Sequence, residues 1–487
     1  MCDDAISGST QWVVLEAGAA EPLYRQIYRR IESAIFAGEL PEGGPLPSSR
    51  GLAEHLRVSR VTVVNAYDWL IADGLAVTRP GSGIRVARAS GLEAEKVALG
   101  RHDDNVISPL RGCDDAPNRH PCRPPLAFHP DMPALDHFPR QIWSRLLKRC
   151  AINVDCGTGD DRNAGGFLPL RRMIARYVFA SRGVPCSAGQ VIVVGSVRAA
   201  TRIAVNVLAS PGDTVALEDP GYHCSRNALG PLPLTLEHVP VDERGVRVDE
   251  ALRRVPHARV FCVTPCQQWP TGVTLAPDRR EALLGWSHQS GGWIVEDDGG
   301  SAVQYEQPVP PPLKAHPHGE RVIFIGGFSR TLGPSIGCAY LVVPADLERE
   351  FVEEAAACGS EPSVYVQAAL SDLMAEGHFT RHVQKLRTVL RSRRDILCQA
   401  LAEADERHVS IRPPAGGLQI VADLRPPLRA EDLCQEAARR NLTVRPLSVH
   451  CLHRPAPNAV LLGFGSVAEA DIAPAVGRLL QAIRAVG

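Results

Sequence analysis

The chain has 487 residues, 45% of them hydrophobic and 22% charged, with a formal net charge of −1. That composition excludes wholesale disorder, and the length exceeds one domain of ~100–200 residues, so two or more units are expected. Near-neutrality excludes a generally polybasic protein, so any nucleic-acid surface must be a local patch. Only four of the 53 basic residues are lysines: Lys96, Lys148, Lys314 and Lys385. The 14 cysteines are scattered without the dense framework of a small secreted scaffold, and read as reduced thiols. Cys262 and Cys266 lack a second pair or histidines at zinc-ligand spacing. The acidic start, Met1-Cys2-Asp3-Asp4, has no basic region before an apolar run, and no apolar stretch reaches the ~18 residues of a membrane helix. A cytoplasmic protein is expected.

Residues 1–88 read as one unit. Pro22 opens a helix whose Leu23, Ile27, Ile31 and Ile35 recur every four residues, and Gly38 and Pro41 stop it. Pro47-Ser48-Ser49-Arg50 offers an N-cap to a short second helix with Leu52, Ala53 and Leu56 on its apolar face. Ser59 can cap a third helix, with Val61, Val64, Tyr67 and Leu70/Ile71 expected on one side. Leu75–Arg79 and Ile84–Val86 flank Pro80-Gly81-Ser82-Gly83, a strand–turn–strand pattern. Together these predict a winged helix-turn-helix of the α+β class. Residues 89–125, rich in Ala, Gly, Asp, Arg and Pro, read as a linker. From 126 to 487, apolar runs at Val191–Val194, Val215–Leu217, Val260–Val263, Trp293–Val295 and Val322–Ile325 alternate with helical stretches. This is the α/β pattern of a mostly parallel sheet. The chain is therefore multidomain.

In a helix-turn-helix the third helix enters the major groove, while neighbouring N-termini and basic side chains hold phosphates. Arg50 starts the second helix, and Ser59, Arg60, Thr62 and Asn65 fall on the exposed side of the third. Gly81, Ser82 and Gly83 form the wing tip, with Arg79 and Arg85 beside it. Residues 50–88 carry six arginines against Glu54, Asp68 and Asp73, a local basic excess. On periodicity alone, a helical protein-interaction module with a solvated charged face remains equally open. The segments Pro22–Gln26, Leu46–Arg50, Val58-Ser59-Arg60, Ala66-Tyr67 and Arg79–Gly83 resemble the GntR family of bacterial transcription regulators. That resemblance implies double-stranded DNA as partner. Gly51 departs from the family's usual Glu, and Val61 stands where a polar residue is common.

Downstream, Pro211-Gly212-Asp213, Glu218–Tyr222, Val263-Thr264-Pro265 with Pro270-Thr271-Gly272, and Glu296-Asp297-Asp298 resemble fold-type-I, pyridoxal-phosphate-dependent aminotransferases. Gly327-Phe328-Ser329, Glu376–Phe379 and Leu462-Gly463-Phe464 continue the series. With a GntR-type reader in front, the whole is similar to the MocR (GabR-like) regulators. The resemblance implies a homodimer, a small-molecule effector and a pyridoxal 5′-phosphate site. In that site Tyr222 would stack on the ring, Asp297 would face the ring nitrogen, and Ser329 and Arg330 would sit at the attachment point. Taken alone, Asp297 also reads as a solvated strand-end carboxylate, and Tyr222 as packing in a turn.

The attachment lysine of the family's Ser-Lys-Thr-Leu motif is absent, because the chain reads Ser329-Arg330-Thr331-Leu332. A guanidinium stays protonated and forms no Schiff base, although it can hold a phosphate or carboxylate. Further departures are Gly299 for a tyrosine, Gly337 for an arginine, and Cys266-Gln267 for Ser-His. Val194–Arg198 is also a poor copy of the phosphate loop. The sequence thus predicts a regulator with a degenerate cofactor site, no catalytic residue, no metal, and weak noncovalent cofactor binding or none. Two rivals are a working aminotransferase with an accessory reader, and a large domain that only dimerises the readers. Arg445 and Arg454 lie in the region where a substrate carboxylate would be held, but neither falls in a recognisable motif.

Overall fold

The computed structural model describes residues 22–36, 38–41, 43–73, 75–79, 83–87, 126–153, 164–306, 309–404, 408–452 and 455–487. The chain forms two compact units, the described residues up to 87 belonging to the first and those from 126 onward to the second. The expected linker, 89–125, lies outside the described residues.

The first unit runs α1 (Leu23–Phe36), α2 (Ser49–Leu56), α3 (Arg60–Ala72), β1 (Ala76–Arg79) and β2 (Gly83–Val86), with the two strands paired antiparallel. This is a winged helix-turn-helix. Its core is Ile27 and Ile31 from α1, Leu52 from α2, and Val63, Ala66, Tyr67 and Leu70 from α3, all essentially without solvent contact. The buried stripe of α3 differs from the expected one. Val63 takes the inward position, and Val61 is 67% exposed. At about 100° per residue, positions 63, 66, 67 and 70 share a face, and 61 points nearly opposite to 63. Leu23 is also exposed, at the open start of α1.

The second unit opens with α4 (Arg140–Asn153), α5 (Leu168–Arg182), β3 (Val191–Val194), α6 (Val197–Leu208), β4 (Thr214–Asp219) and α7 (His223–Leu229). It continues through β5 (Thr235–Asp242), β6 (Gly245–Val246), α8 (Val248–Arg254), β7 (Val260–Val263), α9 (Pro277–Ser290), β8 (Trp293–Asp297) and β9 (Val322–Gly327). Then come α10 (Ser329–Leu332), β10 (Ala339–Val342), α11 (Glu348–Ala357), α12 (Val364–Ala375) and α13 (His378–Ala404). The remainder is β11 (Val409–Ile411), β12 (Gln419–Leu424), α14 (Ala430–Arg439), β13 (Arg445–Pro446), β14 (Ala459–Gly463) and α15 (Glu469–Val486).

All five apolar runs picked out in the sequence are strands of one eight-stranded sheet, ordered β3-β10-β9-β8-β7-β4-β5-β6. Pairs β4–β5, β4–β7, β7–β8 and β8–β9 are parallel, while β10 runs antiparallel to both neighbours. Both faces are covered, which is why the runs are continuously apolar rather than alternating. In β3, Val191 and Val193 pack against α5 and α12, whereas Ile192 and Val194 pack against α6 and α11. A four-stranded antiparallel sheet, β11-β12-β14-β13, forms a second core with α14, α15 and the later turns of α13. No helix among the described residues is long and apolar enough to cross a membrane.

Candidate functional site

The reader's candidate residues converge where α2 and α3 begin. Ser48 caps α2, its Oγ accepting from Gly51 N at 3.0 Å, so the cap is intact despite the glycine. Ser59 caps α3: its Oγ accepts from Thr62 N at 3.1 Å and lies 2.8 Å from Thr62 Oγ1. Arg60 Nε donates to Ser49 Oγ at 3.3 Å, tying the two helix starts together. Arg50, Ser59, Arg60 and Asn65 are exposed and Thr62 is half-buried, a polar surface one helix turn deep. Backbone N–H groups and arginines presented together in this way suit phosphates and base edges. Gly83 has φ 76° with open space around it, as a tight wing turn requires. Gly81 and Ser82 lie outside the described residues. Arg85 is turned inward, Nη1 donating to Gly43 O at 2.8 Å, and so braces the wing instead of extending from it.

In the second unit the carboxyl ends of β3, β4, β8 and β9 face one cavity of about 310 Å³, where α/β sheets commonly place ligands. Tyr222, Asp297, Ser329 and Arg330 all line it, together with Asp131, Gly195, Ser196, Arg198, Gly299 and Gly337. None of the lining residues is a lysine. Lys314 instead sits beside Glu296, and burial brings its amine down to about 8. Arg330 Nε is 3.3 Å from Asp131 Oδ1, and its guanidinium carbon is 5.3 Å from the centre of the Trp269 ring. Burial works against the charge on Arg330, but Asp131 and Asp297 outweigh it, so the group is firmly cationic. Burial pushes the Asp297 carboxyl up, opposed by the charge of Arg330 and by a 2.9 Å hydrogen bond from Gly299 N.

Around the cavity, buried polar pairs hold the strand ends. Arg182 clasps Asp298 with bonds of 2.7 and 2.8 Å, and Ser301 Oγ adds a third at 2.6 Å. Glu218 accepts from Thr264 N and Gln268 Nε2, fastening β4 to the segment after β7. Glu296 accepts from Leu313 N and Lys314 N. Burial raises both glutamates to about 7. Tyr222 meets Trp269 edge-on at 6.1 Å, and Trp269 meets His450 edge-on at 5.7 Å.

Sequence reasoning missed Asp131 and Trp269. Trp269 lies between the two matched pieces, Val263-Thr264-Pro265 and Pro270-Thr271-Gly272, so its aromatic ring was discoverable. Asp131 carried no such signal: it reaches Arg330 from about 200 positions away, with its backbone at φ 61°. Cys262 and Cys266 are free thiols that burial raises to about 12. Arg445 lies in β13 and is not among the residues lining the cavity, and Arg454 is outside the described residues.

The noncovalent parts of a pyridoxal phosphate site fit these residues. Asp297 stands at a strand end for the ring nitrogen, Tyr222 offers a face, and Ser196 opens α6, whose N-terminal dipole favours an anion. Trp269 Nε1 and Gln267 Oε1 are buried without hydrogen-bond partners among the described residues. A side chain at Gly337 would meet only Gly195 O at 3.9 Å, so the phosphate side is open. The covalent part finds no counterpart among the described lining residues, none of which carries an amine.

Comparison with known proteins agrees with this anatomy. Residues 23–86 match "Bacterial regulatory proteins, gntR family", and residues 163–478 match "Aminotransferase class I and II". A Rhizobium meliloti protein described as "Probable rhizopine catabolism regulatory protein MocR" is 32% identical over 97% of this chain and 96% of its own. The pyridoxine biosynthesis transcriptional regulator PdxR of Corynebacterium glutamicum is 30% identical over 91% of each. Among solved structures, the multiple substrate aminotransferase of Thermococcus profundus superposes with a TM-score of 0.67 at 25% identity, covering 74% of this chain and 91% of that one. The kynurenine aminotransferase of Pyrococcus horikoshii gives 0.67 at 23% identity over 75% and 92%, a likeness of fold. The chain belongs to the MocR-type transcription regulators, in which a GntR-family winged helix precedes a domain of the class I and II aminotransferase family.

Proposed function

We propose that this regulator binds duplex DNA as a homodimer and senses a small molecule in a cavity that no longer performs transamination. Arg330 occupies the place of the attachment lysine. The observation that carries this reading is the cavity lining, whose cations are Arg198 and Arg330, the latter already engaged by Asp131, and which among the described residues includes no lysine. Bound pyridoxal phosphate would supply an aldehyde on an electron-accepting ring. Tyr222, Asp297, Ser329 and Arg330 would hold it, Tyr222 through its ring face, Asp297 as an acid toward the ring nitrogen, Ser329 through its hydroxyl, and Arg330 as a cation that does not surrender its proton. Arg50, Ser59, Arg60, Thr62, Asn65 and the Gly81–Gly83 wing are the proposed DNA contacts. The dimer is inferred from the fold, since pockets of this type are commonly completed at a subunit interface.

Reconstitution with pyridoxal phosphate, borohydride reduction and peptide mass mapping tests the reading. The expected result is a dialysable complex with no adduct on any cavity residue, and Arg330→Lys restores only partial attachment. A stoichiometric adduct on Lys314 or any other native lysine would overturn it. Light scattering of residues 126–487 should give a dimer at micromolar concentration, and a stable monomer would refute the proposed assembly.

A further inference from the structure

Val61 is 67% exposed, the highest exposure of any large hydrophobic side chain among the described residues of the reader. It is the second residue of α3, set among the polar Ser59, Arg60 and Thr62 that fasten the starts of α2 and α3. Asn65 lies one turn further on, also exposed, with no hydrogen-bond partner within the chain among the described residues. Residues four apart stand one above the other on a helix face, so Val61 and Asn65 form a short stripe of two methyls followed by one amide. The core takes nothing from this stripe, because Val63, Ala66, Tyr67 and Leu70 already fill the inward face.

The N-terminal residues of a recognition helix meet base edges in the major groove. The base edges there present one apolar group, the C5 methyl of thymine, and adenine presents the donor and acceptor pair that an amide satisfies. We propose that Val61 is a specificity-determining residue that packs on a thymine methyl in each half-site, with Asn65 on an adenine edge beside it. This rests on the reader being a DNA-binding unit, and it commits that unit to a base step it would otherwise not distinguish. A polar residue at position 61 would hydrogen-bond to several bases, whereas the isopropyl group gains only where a methyl awaits it.

The test uses the full chain and a pool of random duplexes. Each thymine in the best selected duplex is replaced in turn by deoxyuridine, which removes the methyl and keeps every hydrogen bond. One thymine per half-site should stand out, its replacement weakening binding about fourfold, the effect of withholding one methyl from an apolar contact. At that position Val61→Ser should bind thymine and uracil alike, and Val61→Thr, which keeps one methyl, should fall between. Because Val61 lies outside the core, melting curves of both variants should overlay that of the native chain. If every replacement is neutral, or if Val61→Ser keeps the methyl preference, the proposal is wrong while the DNA-binding reading stands. Failure to select any duplex would remove both.

Discussion

The reader and the cavity use arginine in opposite ways. At the starts of α2 and α3, Arg50 and Arg60 are exposed, and Arg60 makes one long bond of 3.3 Å to a serine. In the second unit Arg330 is set against Asp131, and Arg182 is held by Asp298 and Pro310 O. The first arrangement leaves charge for a polyanion to neutralise, and its affinity should follow salt. The second has its charges neutralised internally, so a ligand must compete with a carboxylate for Arg330. The two arrangements suit different partners: an exposed basic surface can meet any duplex, whereas a ligand for the cavity would have to displace Asp131 from Arg330.

The largest test of this contrast removes a spent arginine. Arg182→Met leaves Asp298 buried without its cation, and unfolding in denaturant should show a loss of about 3–5 kcal/mol for the second unit. Acidity probes the same interior. Glu218 and Glu296, raised by burial to about 7, hold protons in the folded chain that the unfolded chain releases. The stability of the second unit should therefore fall as pH climbs from about 4.5 to about 7, by on the order of 3 kcal/mol per carboxyl, and above about 8 the buried Lys314 amine should act the other way. Asp242, kept low by its bonds from Arg279, acts the other way only in acid. Urea midpoints across that range check the sign. An open arginine should behave differently: Arg60→Ala should leave stability almost untouched and cost ~1–3 kcal/mol in DNA binding. Titration at several salt concentrations separates a base contact from a phosphate contact by the change in slope. The smallest effect belongs to Asp131→Gly. It frees Arg330 from its partly exposed partner and relieves the φ of 61°, so calorimetry should show phosphate or pyridoxal phosphate bound more tightly by on the order of 1 kcal/mol.

The reader was almost wholly legible in the sequence because its determinants are local. Caps at Ser48 and Ser59, the four-residue spacing of Ile27 and Ile31, and a glycine turn lie within a few residues of what they shape. The error there, Val61 for Val63, arose because four valines crowd positions 58–64 and periodicity alone does not choose among them. Five of the eight strands of the large sheet were legible for a similar reason, since each carries an unbroken apolar run, whereas β5, with Glu237 and His238 inside it, carries none. What the sequence did not disclose is how distant segments meet. Asp131 contacts Arg330, Arg182 contacts Asp298, and His382 contacts Thr331 O at 2.8 Å. None of these pairs has a spacing that a helix or strand period could reveal.

That last contact sits on α13, whose 27 residues make a rod about 40 Å long. Phe379 and Val383 anchor one end in the core beneath the large sheet, and Leu390, Leu397 and Leu401 anchor the other beside the small sheet. His382 fastens the rod near its beginning to the carbonyl of the residue following Arg330. Ala404 is then about 33 Å beyond the pivot, and a tilt of about 5° there sweeps the far end through about 3 Å. One rigid element thus joins the ground beside Arg330 to the small sheet, so any tilt of α13 about His382 would be larger at the small sheet than at α10.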